Sequence, residues 1–96
     1  MELKLHPHAE DDLKEALKYY NEIDKNLSSK FINTLDFTFD KILQNQKLYP
    51  YETTTTQRVL MGKFPYIIIY EHYQNIIMIL AIFHTSRDPN KLEKRK

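Results

Sequence analysis

Two adjacent segments near the C-terminal end, Phe64 to Tyr73 (FPYIIIYEHY) and Ile76 to Phe83 (IIMILAIF), constrain the fold more than any other feature of this chain. Both are rich in β-branched and aromatic residues, and Gln74-Asn75 between them suits a tight turn, so they read as an antiparallel β-hairpin. An antiparallel sheet packed on one side normally alternates apolar residues with polar ones. Here both phases are apolar. Tyr66, Ile68 and Tyr70 share one face of the first segment and Ile67 and Ile69 the other, while Met78, Leu80 and Ile82 oppose Ile77, Ile79 and Phe83 in the second. Any fold built on this hairpin must cover both of its faces.

The first half of the chain supplies a cover for one face. Residues 2–6 alternate polar and apolar, the period of a half-buried strand. Pro7 then suits the first position of a helix, and Glu10, Asp11 and Asp12 follow where the helix dipole favours negative charge. Ala9, Leu13, Ala16, Leu17 and Tyr20 recur at helical spacing, with Lys14, Glu15 and Lys18 opposite. Asn21 to Asn26 is polar, and Asp24 or Asn26 can cap a second helix. Its apolar positions are Phe31, Ile32, Leu35, Phe39, Ile42 and Leu43, and Asn45-Gln46-Lys47 with Pro50 ends it. A short link makes the two helices a hairpin. The β-branched run Thr53 to Thr56, continuing through Gln57 to Met61, reads as a second strand, and Gly62-Lys63 as the turn into the apolar hairpin. The expected fold is α+β in the order β-α-α-β-β-β, a helix hairpin packed on a small antiparallel sheet. With 96 residues and no internal repeat or linker, residues 1–96 are expected to form a single domain.

One helix hairpin covers one face of a small sheet. The second is left to a partner chain, to self-association or to the loops. Each large apolar side chain removed from water contributes roughly 1.5–3 kcal/mol, so three or four of them give a partner substantial affinity. The candidate partner-binding residues are Tyr66, Ile68, Tyr70, Met78, Leu80 and Ile82.

Several function classes are excluded by what the chain lacks. Without cysteine there are no disulfides, thiolate metal sites or cysteine nucleophiles, a usage that suits a reducing cytoplasm. Gly62 is the only glycine, so there is no phosphate-cradling loop and no nucleotide cofactor is expected. The opening MELKLHPHAE lacks the apolar core of a secretory signal. A membrane-spanning helix needs about 20 apolar residues, and the run from Ile76 to Phe83 is far shorter, so no membrane association is expected.

The net charge of +1 conceals a split. Residues 1–56 hold seven Lys against ten Asp or Glu, a net of −3; residues 57–96 hold seven Lys or Arg against three acids, a net of +4. An anionic target is drawn to the second half. Arg58, Lys63, His84 and Arg87 come from strands expected to be neighbours, and together form a candidate site for RNA phosphates. His84 suits proton transfer near neutral pH, and Arg87 can offset charge developing at phosphorus. The alternative is that the arginines pair with carboxylates such as Glu71 or Asp88 and His84 merely ends a strand. His6 and His8 lack carboxylate support for a metal. His84, Ser86 and Asp88 lie too far apart along one strand for a catalytic triad. No cofactor and no metal are expected.

Taken together, Pro7-His8-Ala9-Glu10-Asp11-Asp12-Leu13 with Tyr19-Tyr20, Phe31 and Leu35, Tyr49-Pro50, Arg58, the segment FPYIIIY from Phe64, and His84-Thr85-Ser86-Arg87-Asp88-Pro89 resemble the RelE/ParE toxins from end to end. The combination of FPYIIIY with a strand ending in HTSRDP is most similar to the ParE branch. The resemblance implies the toxin of a bacterial type II toxin–antitoxin system and a cognate antitoxin that wraps around it. ParE-like members are associated with inhibition of DNA gyrase, whereas RelE-like members cut messenger RNA on the ribosome without metal. Arg58 and Arg87 match cations of the ribonuclease branch, and with His84 they are its candidate catalytic residues. Against that branch, residues 53–57 contain no lysine or glutamate to act as base, and residues 88–96 no aromatic to stack on a nucleobase; Glu52 and His84 are the substitutes. The leading expectation is a ParE-like toxin acting by binding, with Lys63, Lys91 and Arg95 among the contributing cations. The alternatives are a ribosome-dependent endoribonuclease and a toxin-derived binding module that no longer inhibits growth.

Overall fold

In the computed structural model, residues 1–86 are described. They form β1 (Glu2–Leu5), α1 (Pro7–Ile23), α2 (Lys25–Asn45), β2 (Thr56–Leu60), β3 (Tyr66–Tyr73) and β4 (Ile76–His84), the expected order. His6 caps α1, its Nδ1 accepting the His8 N–H at 3.0 Å. Asp24 alone joins the two helices. Its N–H donates to the Tyr20 carbonyl at 2.9 Å and its carboxylate accepts the Asn26 N–H at 2.9 Å, so one residue closes α1 and opens α2 where a longer polar turn was expected. Thr53 to Thr55 is likewise not strand. The Thr53 hydroxyl accepts the N–H groups of Thr55 and Thr56, a local turn that competes with sheet pairing and delays β2 to Thr56.

The sheet order is β1-β4-β3-β2. The three later strands form the expected antiparallel meander, turning between β3 and β4 at Gln74, whose φ of 54° is left-handed. β1 departs from the fully antiparallel expectation. It pairs parallel with β4, Leu3 opposite Ile77 and Leu5 opposite Ile79, and the sheet is therefore mixed. A parallel pair needs a long crossover, and the helix hairpin with the meander supplies it.

The helices cover one face of the sheet. Ala9, Ala16 and Tyr20 of α1 and Phe31, Leu35 and Ile42 of α2 are buried against Ile68, Tyr70, Ile77, Ile79 and Ile82. At one end, Tyr20, Phe31, Phe64 and Tyr66 pack ring against ring; the Phe31 centroid lies 5.5 Å from Tyr20, 5.1 Å from Phe64 and 5.0 Å from Tyr66. A β-bulge interrupts the β3–β4 ladder. Ile69 pairs with Ala81 but Tyr70 with Ile79, so Leu80 is left unopposed and the side-chain alternation of β4 changes phase there. That is how Ile77, Ile79 and Ile82 all face the helices. Among the described residues, no helix is long and apolar enough to cross a membrane.

Candidate functional site

Cross-strand pairing assigns every strand residue to a face. Arg58 stands opposite Ile69 and Ala81, on the face away from the helices, whereas His84 stands opposite Tyr66, on the helix side. Arg58 and His84 therefore lie on opposite faces, with β3 between their strands. The Arg58 guanidinium sits 3.4 Å from the Glu52 carboxylate. His84 lies edge-on to the Tyr66 ring at 5.3 Å, and its Nδ1 accepts the Ser86 N–H at 3.1 Å. Lys63 is exposed in the connection between β2 and β3. Arg87, Lys91 and Arg95 lie outside the described residues. The structure thus does not bring Arg58 and His84 of the expected cationic cluster together.

The six apolar candidates divide. Tyr66, Ile68, Tyr70 and Ile82 are buried beneath the helices, so they are core side chains and not an open partner surface, contrary to expectation. Met78 and Leu80 remain half-buried. The face away from the helices carries instead Ile69, Ala81 and Phe83, with Ile67 and Leu80 packed against them and the exposed Leu60 in register with Ile67 and Phe83. With both phases of β3 apolar, alternation alone could not choose between its faces. Glu71 was the available signal, because it shares its phase with Ile67 and Ile69 and a charge belongs toward water. The bulge at Leu80 left no such signal.

A second feature went unread in the sequence. α2 and the outer edge of β2 enclose a groove of about 580 Å³, with Phe37, Tyr49, Val59 and Leu60 as apolar walls, Asn33, Thr34 and Thr38 between them, and Lys41 and Lys63 as its charged residues. Phe37 lies off the buried stripe of α2, and Leu60 shares the outward phase of Arg58. Both positions look like ordinary surface in the sequence. The Lys41 ammonium lies 4.8 Å from the centroid of the Phe37 ring.

The groove wall at Tyr49 is held by a buried polar clamp. Gln57 Nε2 donates to the carbonyls of Gln46 at 2.7 Å and Tyr49 at 3.0 Å, and the Tyr70 hydroxyl donates to the same Gln46 carbonyl at 2.8 Å. Burial, aided by the neighbouring Tyr49 and Tyr51, pushes the Tyr70 phenol up to about 12. Among the described residues, no group of three or more His, Cys, Asp or Glu side chains could hold a metal ion.

A family model for the ParE toxin of the type II toxin–antitoxin system parDE matches residues 3–89. Among solved structures, the chain is similar to one from the chromosomal ParDE toxin–antitoxin system of P. aeruginosa, with a TM-score of 0.69 and 18% identity over 88% of this chain and 95% of that one. That likeness is one of fold. No curated protein matches the sequence. The helix hairpin on a four-stranded sheet and the match across nearly the whole length lead to one assignment: the chain belongs to the ParE toxin family of type II toxin–antitoxin systems.

Proposed function

We propose that this chain acts in the cytoplasm as a growth inhibitor that works by binding, with DNA gyrase as its target, and that a cognate antitoxin neutralises it. The observation that carries a binding mode over a ribonucleolytic one is the separation of Arg58 from His84 across the sheet. General acid–base cleavage of RNA needs proton-transfer groups within hydrogen-bond reach of one reacting centre. The cation on β2 is instead engaged by Glu52, and His84 packs on Tyr66 on the other side. Antitoxin binding draws on the exposed apolar residues that remain once the helices have covered one face.

The test is a supercoiling assay with purified gyrase and purified toxin. Supercoiling falls as toxin is titrated in, and addition of antitoxin restores it. A normal rate at saturating toxin rejects gyrase as the target. Messenger RNA followed in cells expressing the toxin alone separates the other readings: cut messages point to the ribosome-dependent endoribonuclease, and intact messages with unaffected growth point to a binding module without toxicity.

A further inference from the structure

We propose that the groove between α2 and β2 is the seat of an acidic segment of the antitoxin, with Phe37 receiving an apolar side chain, the β2 edge at Leu60 offering its backbone, and Lys41 and Lys63 pairing with flanking carboxylates. The inference rests on the antitoxin reading above and gives it a location. Phe37 is 60% exposed, an unusual degree for a large apolar side chain that walls a concavity, and Leu60 lines the same concavity along the β2 edge. Its volume of about 580 Å³ suits a few anchoring side chains.

Charge selects the occupant. Among the described residues, Lys41 and Lys63 line the groove and no carboxylate does, so an acidic guest meets complementary charge on entry. Because Lys41 lies against the Phe37 ring, a carboxylate drawn to it is delivered beside an apolar wall. A nucleic acid is a poorer match, since nucleic-acid affinity rests largely on many phosphate contacts and the described groove residues include two lysines.

The strand edge adds a backbone component. The Arg58 N–H donates outward to the Pro50 carbonyl at 2.9 Å, so that edge of β2 is already occupied at Arg58. By the alternation of an antiparallel ladder, Leu60 presents its own N–H and C=O to the same edge, where no described strand pairs with it. An extended segment entering the groove can bond there while its side chains fill the apolar walls.

Calorimetric titration with the antitoxin encoded beside the toxin gene tests this. The variants are Lys41→Glu with Lys63→Glu, and Phe37→Asp; Lys14→Glu with Lys18→Glu on α1 serves as a charge-matched control. All five positions are exposed, and thermal melts establish that each variant folds. Both groove variants should lose affinity at least about tenfold, as expected when a central contact of an interface is removed, with the control within about twofold of the parent. Groove variants that bind as tightly as the parent overturn the proposal. So does unchanged antitoxin affinity with lost gyrase inhibition, which would give the groove to the target. If the parent itself does not bind the antitoxin, the antitoxin reading falls and this inference with it.

Discussion

The carboxylate of Asp12 accepts a hydrogen bond from the backbone N–H of Ile82 at 2.9 Å, within the seam where α1 packs on β4. β1 ends at Leu5, opposite Ile79, so β4 runs past the end of its parallel neighbour. Thr85 donates its N–H to Pro65, which turns Ala81 and Phe83 toward β3 and leaves the Ile82 N–H pointing to the side that β1 has vacated. Asp12, 4% exposed, takes the place of the missing strand. An acidic residue in the early part of α1 thereby also secures the register just beyond the bulge.

Asp12→Ala should therefore lower the stability of the free toxin by about 1–3 kcal/mol, the usual cost of a buried amide left without an acceptor. Asp12→Asn, which keeps an oxygen in place, should cost less. Urea denaturation of the three proteins provides the comparison, and equal midpoints for parent and Asp12→Ala would show that the contact contributes nothing.

The Tyr70 clamp makes a pH prediction. With its phenol pushed up to about 12, against about 10 in the unfolded chain, the fold holds the proton more tightly than the unfolded state does. The associated stability is fully present below pH 10 and is lost as pH rises toward 12. Tyr70→Phe should flatten that alkaline decline and, by removing the bond to the Gln46 carbonyl, lower stability near neutral pH by about 0.5–1.5 kcal/mol. Melting temperatures between pH 7 and 11 would reveal both effects, and parallel curves for parent and variant would contradict the first.

Phe31 is fully buried among three aromatic rings. Phe31→Ala should cost about 3–5 kcal/mol, a large share of the roughly 5–15 kcal/mol that stabilises a typical domain. The free variant should be partly unfolded at 37 °C. Saturating antitoxin should restore its near-ultraviolet circular dichroism, because a ligand specific for the folded state stabilises it by mass action. A melting temperature within a few degrees of the parent would contradict the core assignment.

Removing the Arg58–Glu52 pair should have little effect on folding. Both side chains are partly exposed, and such pairs are typically worth no more than about 1 kcal/mol. Arg58→Ala should melt close to the parent, so any loss of growth inhibition in that variant would report function and not instability. With toxicity by binding, the His84→Ala variant should also still inhibit growth; loss of toxicity in both, with antitoxin binding intact, would favour the ribonuclease.

The order of elements was legible because each rests on local chemistry. Pro7 and Asp24 mark helix starts, the apolar stripe from Phe31 to Ile42 has helical period, and Gln74-Asn75 separates two β-rich runs. Such signals act over a few residues, and the sequence contains them in full. The apolar hairpin likewise announced that both sheet faces bury side chains, as the two clusters show.

Only the tertiary structure decided where β1 pairs, where the alternation of β4 breaks, and that Arg58 and His84 part. Tyr66, Ile68 and Tyr70 are as apolar as Ile67 and Ile69, so Glu71 was the one local sign of which set faces water, and the bulge at Leu80, which no local signal announces, carried Ile82 to the helix side. Arg58 and His84 were expected on neighbouring strands, yet they came to rest on opposite faces with β3 between them, because a side chain's face depends on register, and register is set by packing over the whole sheet. The groove beside Phe37 and Leu60 belongs to the same class, since its walls are brought together by contacts distant in sequence.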